Sequence, residues 1–182
     1  MPLTNLYSKL SELLHCTFKS LDTASLWLAM IPMRLLLAWE FWESGWEKYT
    51  GENWFADIQD RFPFPFNLVP TDFSWWLSTW AELVCAIMLV FGLGTRLASI
   101  TLFILTIVAI GSVHWPTGWQ SFNELLMGYA LTDKGFGNYK LPLIFLIMLF
   151  PLILHGGGKL SLDYWIHRLW RQRSPASDAQ QA

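Results

Sequence analysis

Long apolar stretches separated by short polar segments dominate the pattern of this chain. The most apolar stretches lie at about residues 26–47, 75–93, 96–114 and 141–155. An α-helix of about 20 consecutive apolar residues crosses the hydrocarbon core of a bilayer. The last stretch is shorter than the others and contains Pro151. The pattern therefore predicts an all-α integral membrane protein built as a bundle of four transmembrane helices.

The first residues follow a different, amphipathic pattern. Leucine and phenylalanine recur there at helical spacing, and charged residues such as Lys9 and Lys19 occupy other positions. A helix with one apolar face and one charged face is typical of segments that lie on a membrane surface. The pattern predicts an N-terminal amphipathic interfacial helix over residues 1–23, followed by the membrane domain over residues 24–165.

Composition agrees with a membrane protein and excludes several other classes. The 182-residue chain is 53% hydrophobic and 14% charged, whereas charged residues make up about a quarter of a typical soluble domain. The formal net charge of -2 gives no basic surface for nucleic acid. Cys16 and Cys85 lie far apart and form no CxxC motif, so the chain is not expected to perform thiol chemistry by itself.

Basic residues predict which loops face the cytoplasm. They concentrate in the N-terminal segment, between the second and third spans, and after the fourth span, and fewer lie in the loops Tyr49–Ser74 and Trp115–Lys140. Positive charge is retained on the cytoplasmic side of membranes. We therefore expect a multi-pass protein with both termini in the cytoplasm. The C-terminal stretch 166–182 is expected to form a basic, then disordered, cytoplasmic tail.

Ionisable residues inside the predicted spans indicate a candidate site. Glu40, Glu43 and Glu47 share one stripe of the first helix. Glu82 lies at a similar depth in the second span, and His114 ends the third span on the same side. The topology therefore gathers carboxylates and one imidazole at the extracytoplasmic end of the bundle.

Two basic residues are candidate charge partners for these acids. Lys48 follows the acidic stripe, and Arg34 lies deeper in the first span, where it could pair with Glu82 or reach a lipid phosphate. Ionised acids inside a bilayer need a proton, a basic partner or a bound cation. The sequence predicts a ligand or proton pocket built by Glu40, Glu43, Glu82, His114, Lys48 and Arg34.

Three interpretations of this pocket stay open from the residues alone. It could accept protons beside a quinone or another redox partner, or it could be an ion-paired network that only fixes helix packing. It could also bind a metal through oxygen and imidazole ligands, in which case the candidates are Glu40, Glu43, Glu82 and His114. The chain carries no standard nucleotide-binding or hydrolase motif, so no catalytic residue is assigned.

Several motifs, taken in their order along the spans, resemble the DoxX family. They are RLLL at 34–37, GWEK at 45–48, AEL at 81–83, GLGTRLA at 92–98, His114, and KLSLD at 159–163. The resemblance extends over about residues 26–165. Gly157 stands where this family usually has proline, which predicts a looser exit from the fourth helix.

The resemblance implies a small four-helix protein of the bacterial inner membrane that is an accessory subunit of a quinone-linked or thiol-linked redox system. Residues 43–66 and 113–116 also resemble the HvfX-type branch, whose members lie beside genes for copper-binding modified peptides. The implied ligands are quinone or copper. The implied partners are the lipid bilayer and proteins encoded nearby, either a redox enzyme or peptide-maturation proteins.

Two other functions are compatible with the same residues. One is a small transporter or channel for protons, a metal or a metal-peptide, and the other is a structural membrane anchor for a partner enzyme. If the protein is part of an enzyme, the resemblance implies an oxidoreductase component.

Overall fold

The computed structural model describes residues 2–116, 121–125 and 138–173, and in these residues all regular structure is helical. The α-helices are α1 (Pro2–Leu28), α2 (Met30–Thr50), α3 (Thr71–Phe91), α4 (Thr95–Ala109), α5 (Phe122–Leu125), α6 (Lys140–His155) and α7 (Leu162–Arg173). The α2–α3 connection contains two 3₁₀ helices, Phe55–Arg61 and Phe66–Leu68, and α4 continues into a π-helical turn, Ile110–His114. The predicted all-α class is confirmed.

Among the described residues, three helical stretches are long and apolar enough to cross a membrane, namely Lys9–Thr50, Thr71–Phe91 and Thr95–His114. The first combines most of α1 with α2, which are separated only at Ala29. Helix α6 is also apolar, but its 16 residues fall short of the usual length of a span. The membrane character predicted from the sequence is supported, and the fourth span stays a prediction.

The core lies where α2, α3, α4 and α6 meet. Its fully buried side chains include Leu37, Leu89, Leu102, Leu149 and Leu152. Small buried residues such as Ala86 and Ala98 let the helices approach, and close packing holds helices together where lipid is as apolar as the side chains. On the outside of the bundle, apolar side chains such as Trp39 are exposed, as expected of a surface that faces lipid.

The end of the bundle that carries the α3–α4 turn is held together by a buried arginine, and we call it the Arg34 end. The guanidinium of Arg34 donates hydrogen bonds to the backbone carbonyls of Leu89 (2.8 Å), Val90 (2.8 Å), Gly157 (2.7 Å) and Leu160 (3.0 Å). Two of these carbonyls lie in the last turn of α3, where helix carbonyls lack partners further along the helix, and the other two lie in the α6–α7 connection. One side chain therefore joins three segments.

Asp163 connects α7 to the start of α4. Its carboxylate accepts hydrogen bonds from the backbone N–H groups of Gly94 (2.6 Å) and Thr95 (2.8 Å), where an anion is favourable at a helix N-terminus. Its own N–H donates to the carbonyl of Gly92 (3.0 Å). Gly92 has a φ of 65°, and a Cβ there would lie 2.9 Å from the guanidinium carbon of Arg34. This turn therefore requires glycine.

The expectation of a loose exit from the fourth helix at Gly157 is wrong. A Cβ at Gly157 would lie 2.6 Å from Oγ1 of Thr95 and 2.7 Å from Cβ of Ser161. The residue is buried, and its carbonyl accepts one of the hydrogen bonds from Arg34. The absence of a side chain lets the segments at this end pack directly against one another.

The two terminal segments differ in how well they match their predicted bounds. Helix α1 contains the predicted N-terminal helix, but its side chains from Lys9 to Leu21 are exposed, so its place on a membrane surface stays a prediction. The predicted boundary at residue 165 falls inside helix α7, which is tied to α4 through Asp163, and the division of the chain at this residue stays a prediction. Residues 174–182, which were expected to be disordered, lie outside the described residues.

Candidate functional site

A cavity of about 380 Å³ lies in the opposite half of the bundle, which we call the Glu82 end. Side chains of α2, α3, α4 and α6 form its walls, and residues of the α2–α3 connection close it on the loop side. Ligand pockets in proteins typically measure about 300–1,000 Å³. The cavity therefore suits a small ligand or the head of a longer one.

An ion pair between α2 and α3 lies on the cavity wall. Nζ of Lys48 donates hydrogen bonds to Oε2 of Glu82 (2.7 Å) and to Oγ of Ser44 (2.8 Å). The Lys48 and Glu82 side chains are only 13% and 10% exposed. Removing two charges from water can cost more free energy than their pairing returns, and ionisable residues inside membrane spans usually serve a function. This pair is the strongest candidate for chemistry in the cavity.

Gly45 explains why α2 and α3 come close enough for this pair. A Cβ at Gly45 would lie 2.9 Å from Cγ of Leu83 and 3.1 Å from Cβ of Glu82. Small residues let helices in membranes approach each other closely. Because Gly45 has no side chain, the backbone of α3 can lie against α2, and Glu82 reaches Lys48 less than one turn further along α2.

Other polar groups on the wall come from α2 and from the end of α4. Glu40 lies about two turns before Lys48, and within the described part of the chain its carboxylate makes no hydrogen bond or ion pair. His114 lies in the π-helical turn, and its Nδ1 is hydrogen-bonded to Oδ1 of Asn138. The hydroxyl group of Ser112 donates a hydrogen bond to the backbone carbonyl one helical turn earlier (2.8 Å), and its oxygen can still accept a hydrogen bond. Turns of π-helix occur frequently at functional sites.

The rest of the cavity wall is mostly apolar. Phe55 and Phe62 from the α2–α3 connection are buried and pack edge to face, with ring centres 5.1 Å apart. On α3 and α4, the cavity is lined by Leu77 and Ile104, each of which is 46% exposed. The cavity is therefore lined by partly exposed apolar residues of these two helices.

The structure brings together four of the six predicted site residues, because the cavity is lined by Glu40, Lys48, Glu82 and His114. Glu43 is exposed and lies outside the wall, since it is rotated by about 100° from the side of α2 that carries Ser44. The predicted pairing of Arg34 with Glu82 is wrong. Arg34 bonds to backbone carbonyls at the opposite end of the bundle, while Glu82 bonds to Lys48.

The predicted metal site is not formed in the described residues. That part of the chain contains no group of three or more His, Cys, Asp and Glu side chains that could hold a metal ion. Glu82 is engaged by Lys48, His114 is engaged by Asn138, and Glu43 faces away from the cavity. Among the residues that the structure describes, Glu40 therefore has no second and third ligand beside it.

Sequence reasoning missed Ser44 and Gly45. Ser44 precedes Lys48 by one helical turn, a spacing at which side chains meet. Gly45 is an isolated glycine in a helical pattern, which commonly has a packing reason. No comparable signal indicated that Phe55 and Phe62 line the cavity, because their positions depend on the path of the irregular α2–α3 connection.

Comparison with known proteins agrees with the motifs. The model of the DoxX family matches residues 29–115, which include α2, α3 and α4 with both Arg34 and Glu82. A protein of Haemophilus influenzae described as uncharacterized is 45% identical over 147 residues, or 81% of this chain and 89% of the relative. No solved structure matches the chain. With its long apolar helices, the chain is a membrane protein that belongs to the DoxX family.

Proposed function

We propose that this protein binds a small, membrane-soluble ligand of the quinone type in the cavity at the Glu82 end, as an accessory subunit of a redox system. The observation that carries the proposal is the Lys48–Glu82 ion pair on the wall of a mostly apolar cavity. The sequence supplies a polar pocket without a standard catalytic motif. We therefore assign the electron transfer itself to a partner protein.

The polar groups of the cavity match the two redox forms of a quinone. A quinone presents two carbonyl oxygens that accept hydrogen bonds, and its reduced form presents two hydroxyl groups that donate them. Lys48 can donate to the oxidised form, whereas the carboxylates of Glu82 and Glu40 can accept from the reduced form. The ion pair can also take up or release a proton at the ligand head.

The apolar wall supports a ligand that arrives through the membrane. Leu77 and Ile104 on the cavity wall are partly exposed, so the head of a ligand can occupy the cavity while a longer tail stays in lipid. A cavity of about 380 Å³ is too small for both the head and a long isoprenoid tail.

For the topology, we propose that the Glu82 end faces the outside of the bacterial inner membrane and that α6 is the fourth span. Basic residues lie at the Arg34 end, among them Arg96, Lys159, Arg168 and Arg171, which supports a cytoplasmic location of that end and of both termini. The partner proteins of the redox system would then meet this chain within the bilayer or at either face.

A role in copper-peptide maturation, which the resemblance to the HvfX-type branch implies, receives less support. Within the described residues no donor set for a metal comes together. Such a role would therefore depend on metal ligands supplied by the peptide or by a partner protein.

Titration of decylubiquinone into the purified full-length protein in detergent micelles tests the proposal. Calorimetry should show saturable binding to the wild type. Lys48→Gln should weaken binding by about tenfold, because it removes a charged hydrogen-bond donor worth roughly 1.5 kcal/mol or more. Lys159→Gln is the matched control, because it removes the same charge at the Arg34 end, and its affinity should equal that of the wild type.

Two outcomes would contradict the proposal. One is the absence of saturable binding beyond that of empty micelles, and the other is equal affinity in Lys48→Gln and the wild type. Thermal unfolding of each variant, followed by circular dichroism, separates a loss of ligand binding from a loss of fold.

A further inference from the structure

Helix α7 begins at the level of the helix ends because its first turn is tied to the α3–α4 turn. The Asp163 carboxylate accepts hydrogen bonds from the N–H groups of Gly94 and Thr95. Tyr164 packs edge to face against Trp27 of α1, with ring centres 6.4 Å apart. These contacts hold α7 where the apolar helices of the bundle end, which is the depth of lipid headgroups.

One face of α7 is apolar and uncovered by the described residues. The face consists of side chains at spacings i, i+3, i+4, i+7 and i+8, which adjoin on a helix. Their exposed fractions lie between 44% and 76%, and they are Leu162, Trp165, Ile166, Leu169 and Trp170. Tryptophan is enriched where membranes meet water. If the helix lies in the membrane–water interface, lipid acyl chains cover an apolar face of this composition.

The opposite face of α7 is basic. Arg168 and Arg171 line a groove along the helix together with Tyr164, His167 and Gln172. The acidic residue of the helix, Asp163, already has both carboxylate oxygens bonded to the start of α4. The arginines therefore keep their positive charge available, and Arg168 also lies 5.5 Å from the ring centre of Trp165.

We propose that α7 lies in the membrane interface at the Arg34 end and binds anionic phospholipid headgroups through Arg168 and Arg171. Its apolar face enters the acyl region, and its arginines pair with phosphate, for which the planar guanidinium fork is well suited. Two features favour lipid over a protein partner: α7 is held at the depth of the headgroups, and its charge is opposite to that of an anionic leaflet.

Site-directed spin labelling of the full-length protein in nanodiscs tests the proposal. Cys16→Ser and Cys85→Ala first remove the native thiols, and single cysteines are then placed as Leu169→Cys on the apolar face and His167→Cys on the basic face. In bilayers that contain phosphatidylglycerol, the label at 169 should be accessible to oxygen and shielded from a water-soluble nickel complex. The label at 167 should show the reverse.

The charge requirement is tested with the double variant Arg168→Gln and Arg171→Gln. Each arginine removed should weaken the interfacial state by about fivefold, so nickel accessibility at 169 should rise. The same rise should follow when phosphatidylcholine replaces phosphatidylglycerol. Lys9→Gln with Lys19→Gln removes equal charge from α1 and should leave the label at 169 unchanged.

Equal nickel accessibility at 167 and 169 in anionic bilayers would overturn the proposal, because α7 would then lie in water. Shielding at 169 that does not depend on lipid charge would overturn the binding of anionic headgroups. Shielding at 169 from both oxygen and nickel would instead indicate a covering protein surface, such as a second copy of the chain. None of these outcomes depends on the ligand of the cavity at the Glu82 end.

Discussion

Each end of the bundle holds a basic side chain largely away from solvent, and the hydrogen-bond partners of the two side chains differ. At the Arg34 end, the guanidinium bonds to four backbone carbonyls, and glycines bring the surrounding segments into direct contact. At the Glu82 end, Lys48 bonds to one carboxylate and one hydroxyl beside a cavity of about 380 Å³. The first arrangement uses its charge to hold the fold, whereas the second leaves room beside its charge for a ligand.

Arg34→Leu gives the largest expected effect. It removes four hydrogen bonds from a charged donor, each worth about 1.5–3 kcal/mol, and should lower the free energy of unfolding by about 5 kcal/mol or more. Thermal unfolding in detergent measures the loss. Arg96→Gln is the control, because this exposed arginine donates a hydrogen bond to the carbonyl of Leu154 at the protein surface, and its loss should cost little. Equal unfolding temperatures for the two variants would remove the distinction between the two ends.

The Lys48–Glu82 pair should behave differently in single and double variants. Lys48→Met should lower the free energy of unfolding by about 3 kcal/mol, because it leaves Glu82 buried without its partner. The double variant Lys48→Met with Glu82→Leu should regain most of this loss, yet should not bind decylubiquinone. A double variant that stays as unstable as the single one would mean that the pair is needed for the fold, as Arg34 is.

Two glycine-to-alanine variants test how much close packing contributes at each end of the bundle. Gly45→Ala should cost about 1–3 kcal/mol in stability, because its methyl group would separate α2 from α3, and it should also weaken ligand binding. Gly92→Ala should cost a similar amount, because its φ is 65° and its Cβ would meet Arg34. Binding titrations in detergent should show normal affinity for the folded fraction of Gly92→Ala. Normal affinity in Gly45→Ala would contradict the role of Gly45 in placing Glu82.

The smallest expected effect is a difference in ligand affinity between variants of two neighbouring acidic residues on α2. Glu40→Gln should weaken binding of reduced decylubiquinone by a few-fold, about 1 kcal/mol, because it removes a charged acceptor from the cavity wall. Glu43→Gln should have no effect on binding, because this side chain is exposed outside the wall. Titration with the reduced ligand under anaerobic conditions measures both. Equal losses of affinity in the two variants would indicate that negative charge near the cavity matters more for binding than a position on the cavity wall.

The sequence predicted the all-α class and the long apolar helices, because apolar runs and helical periodicity are local signals, whereas the four-span count and the interfacial N-terminal helix stay predictions. Helix rise and loop order also placed Glu40, Lys48, Glu82 and His114 at similar depths, and all four line the cavity, but their role as a ligand or proton pocket stays a prediction. It could not show that Glu43 faces outward, since the rotation of a helix depends on packing against its neighbours. The hydrogen-bond partners of Arg34 could not be predicted either, because every residue has a backbone carbonyl and the sequence does not distinguish the ones that Arg34 contacts.

The hydrogen bonds of Arg34 determine how much of the chain must be synthesised before this side chain has all of its acceptors. Its first acceptor follows 55 residues later in the chain, but Gly157 and Leu160 follow 123 and 126 residues later. While the early helices enter the bilayer, a guanidinium therefore stays without half of its acceptors. A chain stopped short of Gly157 would leave the buried guanidinium with two of its four backbone acceptors. The α6–α7 connection, which is synthesised long after α2, is therefore needed to complete the hydrogen bonding of Arg34.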